Sequence, residues 1–394
     1  MTSQTLSRRS FSKLISVGAL GAVPLINGKV AAHESARQPN GLSLFATPST
    51  PNIVRLSSNE NPYGPSPAAL KAMTDNFSLA WRYPDEYGDM LTEDLAKMHS
   101  VSPQEILLGD GSSELLKVCA AAFTSVDKKL VIANPTFGAI ARHAEVGNAQ
   151  VVKVDLTRDY RHDLPRMLAQ TRGAGVVYIC NPNNPTATVT PKNEMTEFIA
   201  KLSPSTVVLV DEAYHHYVDS SDYESVIPLV KTHSNLIVAR TFSKIYGMAG
   251  LRLGYCVSQA ENIKRLKAQQ VFDSVNIMAI VAGRASLNDT EHVNQTRKLN
   301  SEVIKNVSSE LDALGYRYIP SHANFMMIDL SSRCGGSKPC AQEHTVPAVI
   351  EAMAKKSVEV GRLFPALPTF MRVTIGTESQ MTAFLTAFKE VMGS

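Results

Sequence analysis

The sequence predicts an α/β protein whose mostly parallel central sheet carries helices on both faces, followed by a smaller α+β domain. Three observations predict it. Between Ile106 and Val257, short runs of Val, Ile and Leu alternate with helical windows, and strands that are apolar along their whole length are the kind buried on both faces. From about Asn288 the alternation gives way to one long helical window and three further strand-like runs. At 394 residues the chain exceeds one ordinary core, so two domains are expected.

The elements follow in order. Arg8 and Arg9 precede the short apolar segment Leu14 to Val23, and Ala31-Ala32-His33 can end it. That order is the one expected of a twin-arginine export signal, so residues 1–33 are set aside from the fold and a periplasmic protein is expected. No apolar run reaches the ~20 residues of a membrane helix, so no membrane anchor is expected once the signal is removed. Residues 34–56 lack periodicity and read as an arm. Ser57 to Pro65 is turn chemistry ahead of an amphipathic helix from about Pro67 to Phe77. A turn at Arg82 to Asp85 precedes a helix from about Met90 to His99.

Strand candidates are Leu130–Ala133, Gln150–Val154, Val176–Cys180, Val207–Val210, Leu236–Ala239 and Leu253–Val257. Helical windows lie at Glu114–Phe123, Phe137–Gly147, Leu164–Thr171 and Lys192–Leu202. The second unit comprises helix Val293–Leu314, strands Tyr316–Ile319, Phe325–Leu330 and Met371–Ile375, and closing helix Ser379–Val391. The expected large domain is therefore 81–288, and the small one joins 57–80 to 289–394.

Composition excludes some functions. A net charge of +3 is too small to argue for nucleic acid, and no basic helix-turn-helix precedes residue 57, which disfavours a cofactor-binding regulator. Of the five cysteines, Cys119, Cys180 and Cys256 sit in apolar patterns and read as core residues, whereas Cys334 and Cys340 lie in a loop where an oxidising compartment would permit a disulfide.

The polar residues that interrupt this pattern fall at strand ends, where open parallel sheets gather ligands. Lys244 lies just past the run Leu236 to Val238, among Phe242, Ile245, Tyr246 and Met248, with Arg252 eight positions on. Burial disfavours an ammonium and frees the amine to attack a carbonyl; a snorkelling lysine beside a core strand is the plainer alternative. Gly109-Asp110-Gly111-Ser112-Ser113 opens a helix and offers free N–H groups to a phosphate, or merely an N-cap. Asn181-Pro182-Asn183-Asn184-Pro185 is a rigid loop that projects amides. Asp211 ends an all-apolar strand, a costly place for a carboxylate unless a cation meets it, and Tyr214 can point a phenol the same way. An amine, an acid, hydrogen-bond donors and a phosphate seat are together what pyridoxal phosphate requires.

The segments SNENPYGPSP, RYPDEYG, GDGSSELL, NPTFG, NPNNPTA, DEAY, TFSKIYGMAGLRLGY, HANFMMIDL and MRVTIGT, spread from about residue 57 to 377, resemble the class I/II, fold-type I aminotransferases, and most closely the histidinol-phosphate aminotransferase branch. The resemblance implies that Lys244 is the Schiff-base lysine and proton shuttle, that Asp211 pairs with the pyridinium nitrogen, and that Tyr214 and Asn184 bond the phenolate oxygen. It also implies that Gly111, Ser112, Ser113, Thr241, Ser243 and Arg252 hold the phosphate, that Phe137 stacks on the ring, and that Tyr83 reaches the phosphate from the partner subunit of a homodimer. Arg372 would clamp the substrate carboxylate, Asn59 and Tyr63 would line the substrate side, and Arg362 is a weaker candidate there. The family usually has glycine where Ala187 stands; an alanine tolerating only negative φ would shape that loop differently. His215 and His216 are also unexpected there, and solvation or packing is their ordinary role.

The expected reaction is transfer of the α-amino group of an L-amino acid to a 2-oxo acid. Export argues against histidine synthesis, and related enzymes of this fold oxidise arginine with dioxygen and release ammonia, so an oxygen-using oxidase is the alternative. A decarboxylase would keep the same cofactor residues. Glu60, Asp110 and His215 would suit a basic substrate, Tyr63 and Phe137 an aromatic one.

Overall fold

The computed structural model describes residues 53–333 and 344–393. The expected export signal, residues 34–52 of the arm, and both Cys334 and Cys340 lie outside them. The arm was expected to run to residue 56, but its end is already a strand, β1 (Val54–Leu56). Helix α1 (Pro67–Asp75) starts on the Ser66 side chain, which accepts from the N–H of Ala69. Helix α2 (Asp85–His99) begins five residues before the expected Met90, with Asp85 and Glu86 in its first turn, where the helix dipole favours acid.

Seven strands form the central sheet of the described residues: β2 (Ile106–Asp110), β3 (Lys129–Asn134), β4 (Val151–Asp155), β5 (Ala174–Cys180), β6 (Val207–Asp211), β7 (Leu236–Thr241) and β8 (Leu253–Ser258). Their order is β2-β8-β7-β6-β5-β3-β4, and only β8 runs against the others. β2, absent from the expected strands, fills the edge beside β8. Helices α3 (Gly111–Phe123), α4 (Ala139–Val146), α5 (Leu164–Ala169), α6 (Lys192–Lys201), α7 (Ala260–Lys267) and α8 (Ile277–Asn288) accompany the sheet. Successive strand residues alternate between two apolar clusters: Val208, Val210 and Val238 belong to one, Leu209, Ile237 and Ala239 to the other. Both faces are thus buried, as the apolar runs require.

A separate apolar cluster organises the C-terminal part. It comprises α9 (Thr290–Ala313), β9 (Arg317–Ile319), β10 (Phe325–Asp329), α10 (Val346–Lys355), β11 (Val358–Val360), β12 (Phe370–Thr374) and α11 (Glu378–Met392). The antiparallel sheet β12-β10-β9 lies here, and β1 pairs in parallel with β11. Residues 57–80 were expected to belong wholly to this part, but α1 packs on α8, and Ala69 shares its cluster with Leu91 and Ile280 of the larger part.

Candidate active site

Because β8 alone is reversed, the carboxyl ends of β2, β5, β6 and β7 open along one edge of the sheet. A cleft of about 410 Å³ lies there, within the range of small-molecule sites. Its wall includes Lys244, Asp211, Tyr214, Asn184 and Phe137 from the sheet ends, and Asn59, Arg362 and Arg372 from the C-terminal side and the N-terminal turn.

Lys244 sits in the connection between β7 and β8. Its Nζ donates to the carbonyl of Asn59 at 2.9 Å and lies 5.6 Å from the centre of the Tyr214 ring. Burial, seconded by the charge of Arg372, pulls the amine down to about 8. The amine therefore points into the cleft instead of snorkelling to water.

Asp211 is buried at the end of β6. Tyr178 Oη donates to its Oδ2 at 2.9 Å, and the Ala213 N–H to its Oδ1 at 3.1 Å. Burial outweighs these donors and pushes the carboxyl up to about 6. A cation in the cleft would restore its charge, the expected situation for an acid facing a ring nitrogen.

The phosphate seat forms where β2 runs into α3. Gly111 has φ +69°, and a Cβ there would stand 2.2 Å from Nη2 of Arg252. Arg252 donates from Nη1 to Ser243 Oγ at 3.4 Å and to the Ala249 carbonyl at 3.0 Å, while Thr241 Oγ1 donates to Ser243 Oγ at 3.0 Å. Ser112 and Ser113 line the cleft beside them. Free N–H groups at a helix start, two hydroxyls and a guanidinium suit a phosphate dianion.

Tyr214 Oη accepts from Asn184 Nδ2 at 3.2 Å and from Asn59 Nδ2 at 3.1 Å. Arg372 donates from Nη1 to Asn184 Oδ1 at 2.9 Å and from Nη2 to the Ser57 carbonyl at 2.7 Å, and its buried Nε has no partner. That unmet donor fits a bound carboxylate. Ala187 corrects one expectation: it adopts φ +58° and is fully buried, so the loop takes the glycine-like conformation despite its Cβ.

Other expected residues lie elsewhere. Tyr63 does not line the cleft; it faces a small void with Tyr217 and Thr296. Tyr83 is 76% exposed on the surface. Asp110 is exposed 4.0 Å from Arg252 Nε. His215 and His216 occupy a short 3-10 turn, packed edge-on at 5.0 Å and hydrogen-bonded to Tyr223 and Tyr246. Burial pushes both rings down, His215 to about 3. They are packing histidines and do not greet a basic substrate.

Three residues were missed by sequence reasoning. Tyr178 carries a signal, being the lone polar ring in an aliphatic strand. Arg142 lines the cleft from α4 with no signal around it. Asn324, inside the HANF segment, holds the N-terminal turn.

The residues fit pyridoxal phosphate in kind: a depressed amine, a buried acid, two phenol-side donors and an anion seat that a Cβ would fill. Comparison with known proteins agrees. The family model described as aminotransferase class I and II matches residues 51–388. A histidinol-phosphate aminotransferase of Moorella thermoacetica is 37% identical over 343 residues, 86% of this chain and 86% of its own. One from Symbiobacterium thermophilum is 37% identical over 344 residues, 87% of this chain and 91% of its own. The structure of histidinol-phosphate aminotransferase from Sinorhizobium meliloti in complex with pyridoxal-5'-phosphate superposes with a TM-score of 0.79 at 25% identity, covering 86% of this chain and 91% of that one. These matches support transamination and not the oxygen-using alternative. The chain belongs to the class I and II aminotransferases and is a pyridoxal-phosphate-dependent aminotransferase.

Proposed function

We propose that this aminotransferase takes the α-amino group of an L-amino acid through Lys244, as an exported, periplasmic homodimer. The observation that carries the reading is the amine of Lys244, held near 8 in the cleft that also contains the buried acid Asp211. When bound, pyridoxal phosphate supplies the carbonyl that captures an amino group and the ring that draws electrons from the adjacent carbon.

The chain's own residues do the rest. Neutral Lys244 Nζ is the base that removes the substrate's Cα proton and holds it for return. Asp211, ionised against a cation, keeps positive charge at the floor of the cleft. Gly111, Ser112, Ser113, Thr241, Ser243 and Arg252 would hold the cofactor's phosphate, Tyr214 with Asn184 would hydrogen-bond its phenolate oxygen, and Phe137 would stack on its ring. Arg372 grips the substrate carboxylate through its fork, and Asn59 and Arg362 border the substrate. The exposure of Phe77, Trp81 and Tyr83 within a few residues supports a subunit interface there, with Tyr83 reaching the partner's phosphate seat. Arg8 and Arg9 ahead of Leu14 to Val23 support export.

The test incubates the full chain, loaded with pyridoxal phosphate, with a panel of amino acids and histidinol phosphate, with and without 2-oxoglutarate, in air and under nitrogen. Product formation that depends strictly on the acceptor and not on oxygen is expected. Oxygen uptake and ammonia release without acceptor would overturn it. Size determination in solution tests the dimer, and cell fractionation tests the export.

A further inference from the structure

The turn that carries Asn59 reaches the cleft from outside the sheet, and its aim depends on a residue far away in sequence. Asn59 stands in the left-handed region at φ +54°, a conformation that asparagine tolerates better than most residues but that does not by itself fix where the carbonyl points. Four contacts tie it to Thr374 and Asn324. The Asn59 N–H donates to Thr374 Oγ1 at 2.9 Å, and Thr374 Oγ1 also lies 3.2 Å from Asn59 Oδ1. The side chain of Asn324 donates to the carbonyls of both Asn59 and Glu60, at 3.1 and 3.2 Å. The carbonyl of Asn59 is the same oxygen that receives Lys244 Nζ at 2.9 Å.

Asn324 is buried, and its amide orientation is settled by chemistry: both neighbours are carbonyl oxygens, so it must present its NH2. Its own Oδ1 is left without a donor. An unmet buried acceptor is unfavourable, which is the sign of a side chain placed for the sake of its donors. The Asn324 carbonyl in turn accepts from the Ile375 N–H at 2.8 Å, beside Thr374, so both grips on the turn come from the adjoining ends of β10 and β12.

We infer that Asn324 is a positioning residue: it aims the Asn59 carbonyl at the amine of Lys244 and so sets where that amine rests whenever it is not engaged elsewhere. The inference rests on the reading of Lys244 as the acting base. Lys244 must swing between partners during turnover, and a fixed acceptor limits the volume that its four-carbon stem explores. It also fixes Asn59, whose amide reaches Tyr214 Oη from the same turn. Without Asn324, the turn keeps Thr374, Tyr214 and the flanking bonds at Ser57 and Asn61, but the Asn59 carbonyl loses its fixed donor and drifts from the amine.

The test compares Asn324→Ala and Asn324→Asp with Asn300→Ala. Asn300 Nδ2 donates to the Ala323 carbonyl at 3.1 Å, so its loss loosens the same segment without touching Asn59. Expected for Asn324→Ala is a rise of about tenfold in KM for the amino donor with a smaller fall in kcat. Asn324→Asp, which sets an oxygen against two carbonyl oxygens, should not rescue it, and Asn300→Ala should lower Tm while leaving KM unchanged. A readout free of turnover is reductive methylation of the cofactor-free full chain followed by peptide mass spectrometry, in which Lys244 should react several-fold faster in Asn324→Ala than in wild type. Wild-type KM and methylation in Asn324→Ala, or equal changes in Asn300→Ala, would overturn the inference. Should Asn324→Ala fail to fold, Thr374→Val removes the other grip; a raised KM supports the aimed turn and an unchanged KM overturns it. A wild-type chain that transaminates nothing would sink the proposed reaction alone, since the methylation comparison still decides the role of Asn324.

Discussion

Beneath the cleft, Arg240 grips Glu212: Nε and Nη2 of the guanidinium donate to one carboxylate oxygen at 3.0 and 2.8 Å, and both side chains are buried. The other carboxylate oxygen accepts the Val226 N–H at 2.8 Å. Each partner is the chain neighbour of a cleft residue, Glu212 following Asp211 and Arg240 preceding Thr241. Removing one partner strands a buried charge, so Arg240→Met should destabilise the protein by about 3–5 kcal/mol. Arg240→Met with Glu212→Leu should cost less than either single change. Urea unfolding of the three variants measures this.

Lys244 titrates below its ordinary value because of burial and then Arg372, at about 8. A lysine lowered on folding lends full stability only at high pH and loses it as pH falls from about 10.5 toward 8, because the charged form resists burial. Cofactor-free Lys244→Met should therefore melt higher than wild type at pH 7, with the difference vanishing above pH about 10.5. The same variant, and Lys244→Ala, should lack the visible absorbance of a lysine-bound cofactor; an unchanged spectrum would remove Lys244 from its role.

Asp211 shifts the other way, burial raising it to about 6. A raised acid costs the folded state stability as pH climbs from about 4 through 6, where the unfolded chain ionises first. At pH 7 the cofactor-free Asp211→Asn variant should be more stable than wild type, yet its kcat/KM should fall by about two orders of magnitude or more. Melting curves without cofactor, paired with kinetics, test both halves. Tyr178→Phe, removing the donor that favours the ionised acid, should raise the acid-side limb of the pH profile.

Gly111→Ala places a Cβ where Arg252 Nη2 now lies 2.2 Å away, at a φ of +69° that alanine adopts only with strain. The guanidinium is the end of a long side chain and will move aside, so the fold should survive with a loss of about 1–2 kcal/mol. The displaced Arg252 then leaves the seat. Cofactor affinity should drop about tenfold or more, read by equilibrium dialysis, with the drop shrinking when inorganic phosphate competes in both proteins.

Much of this was legible because apolar strands end visibly. Asp211 and Thr241 are the last residues of β6 and β7; Asp211 breaks the aliphatic run of β6, and Arg240 breaks that of β7 one residue before Thr241 ends it. The direction of β8 was not legible, since a buried strand reads the same whichever way it runs. β1 and β11 are three residues each, too short for any period. The start of α2 was hidden in a polar stretch whose acids suit a helix N-terminus as well as a turn. Ala187 misled because its φ is imposed by tertiary packing, not by preference. The reach of Asn324 to Asn59 spans 265 positions, and nothing local to either residue announces it.

The reversed strand β8 has a mechanical consequence. Gly254 faces Gly109 of β2 on one side and Thr241 of β7 on the other, and a Cβ on it would meet the Ser112 N–H at 2.5 Å. The β2 strand that leads into the helix-start part of the anion seat and the β7 end that roots the lysine loop are therefore two ladder steps apart, about 10 Å, a length set by backbone hydrogen bonds between adjacent strands. It works as a gauge block: exchanging side chains around the mouth can retune what enters, while the interval between the two grips stays machined into the sheet.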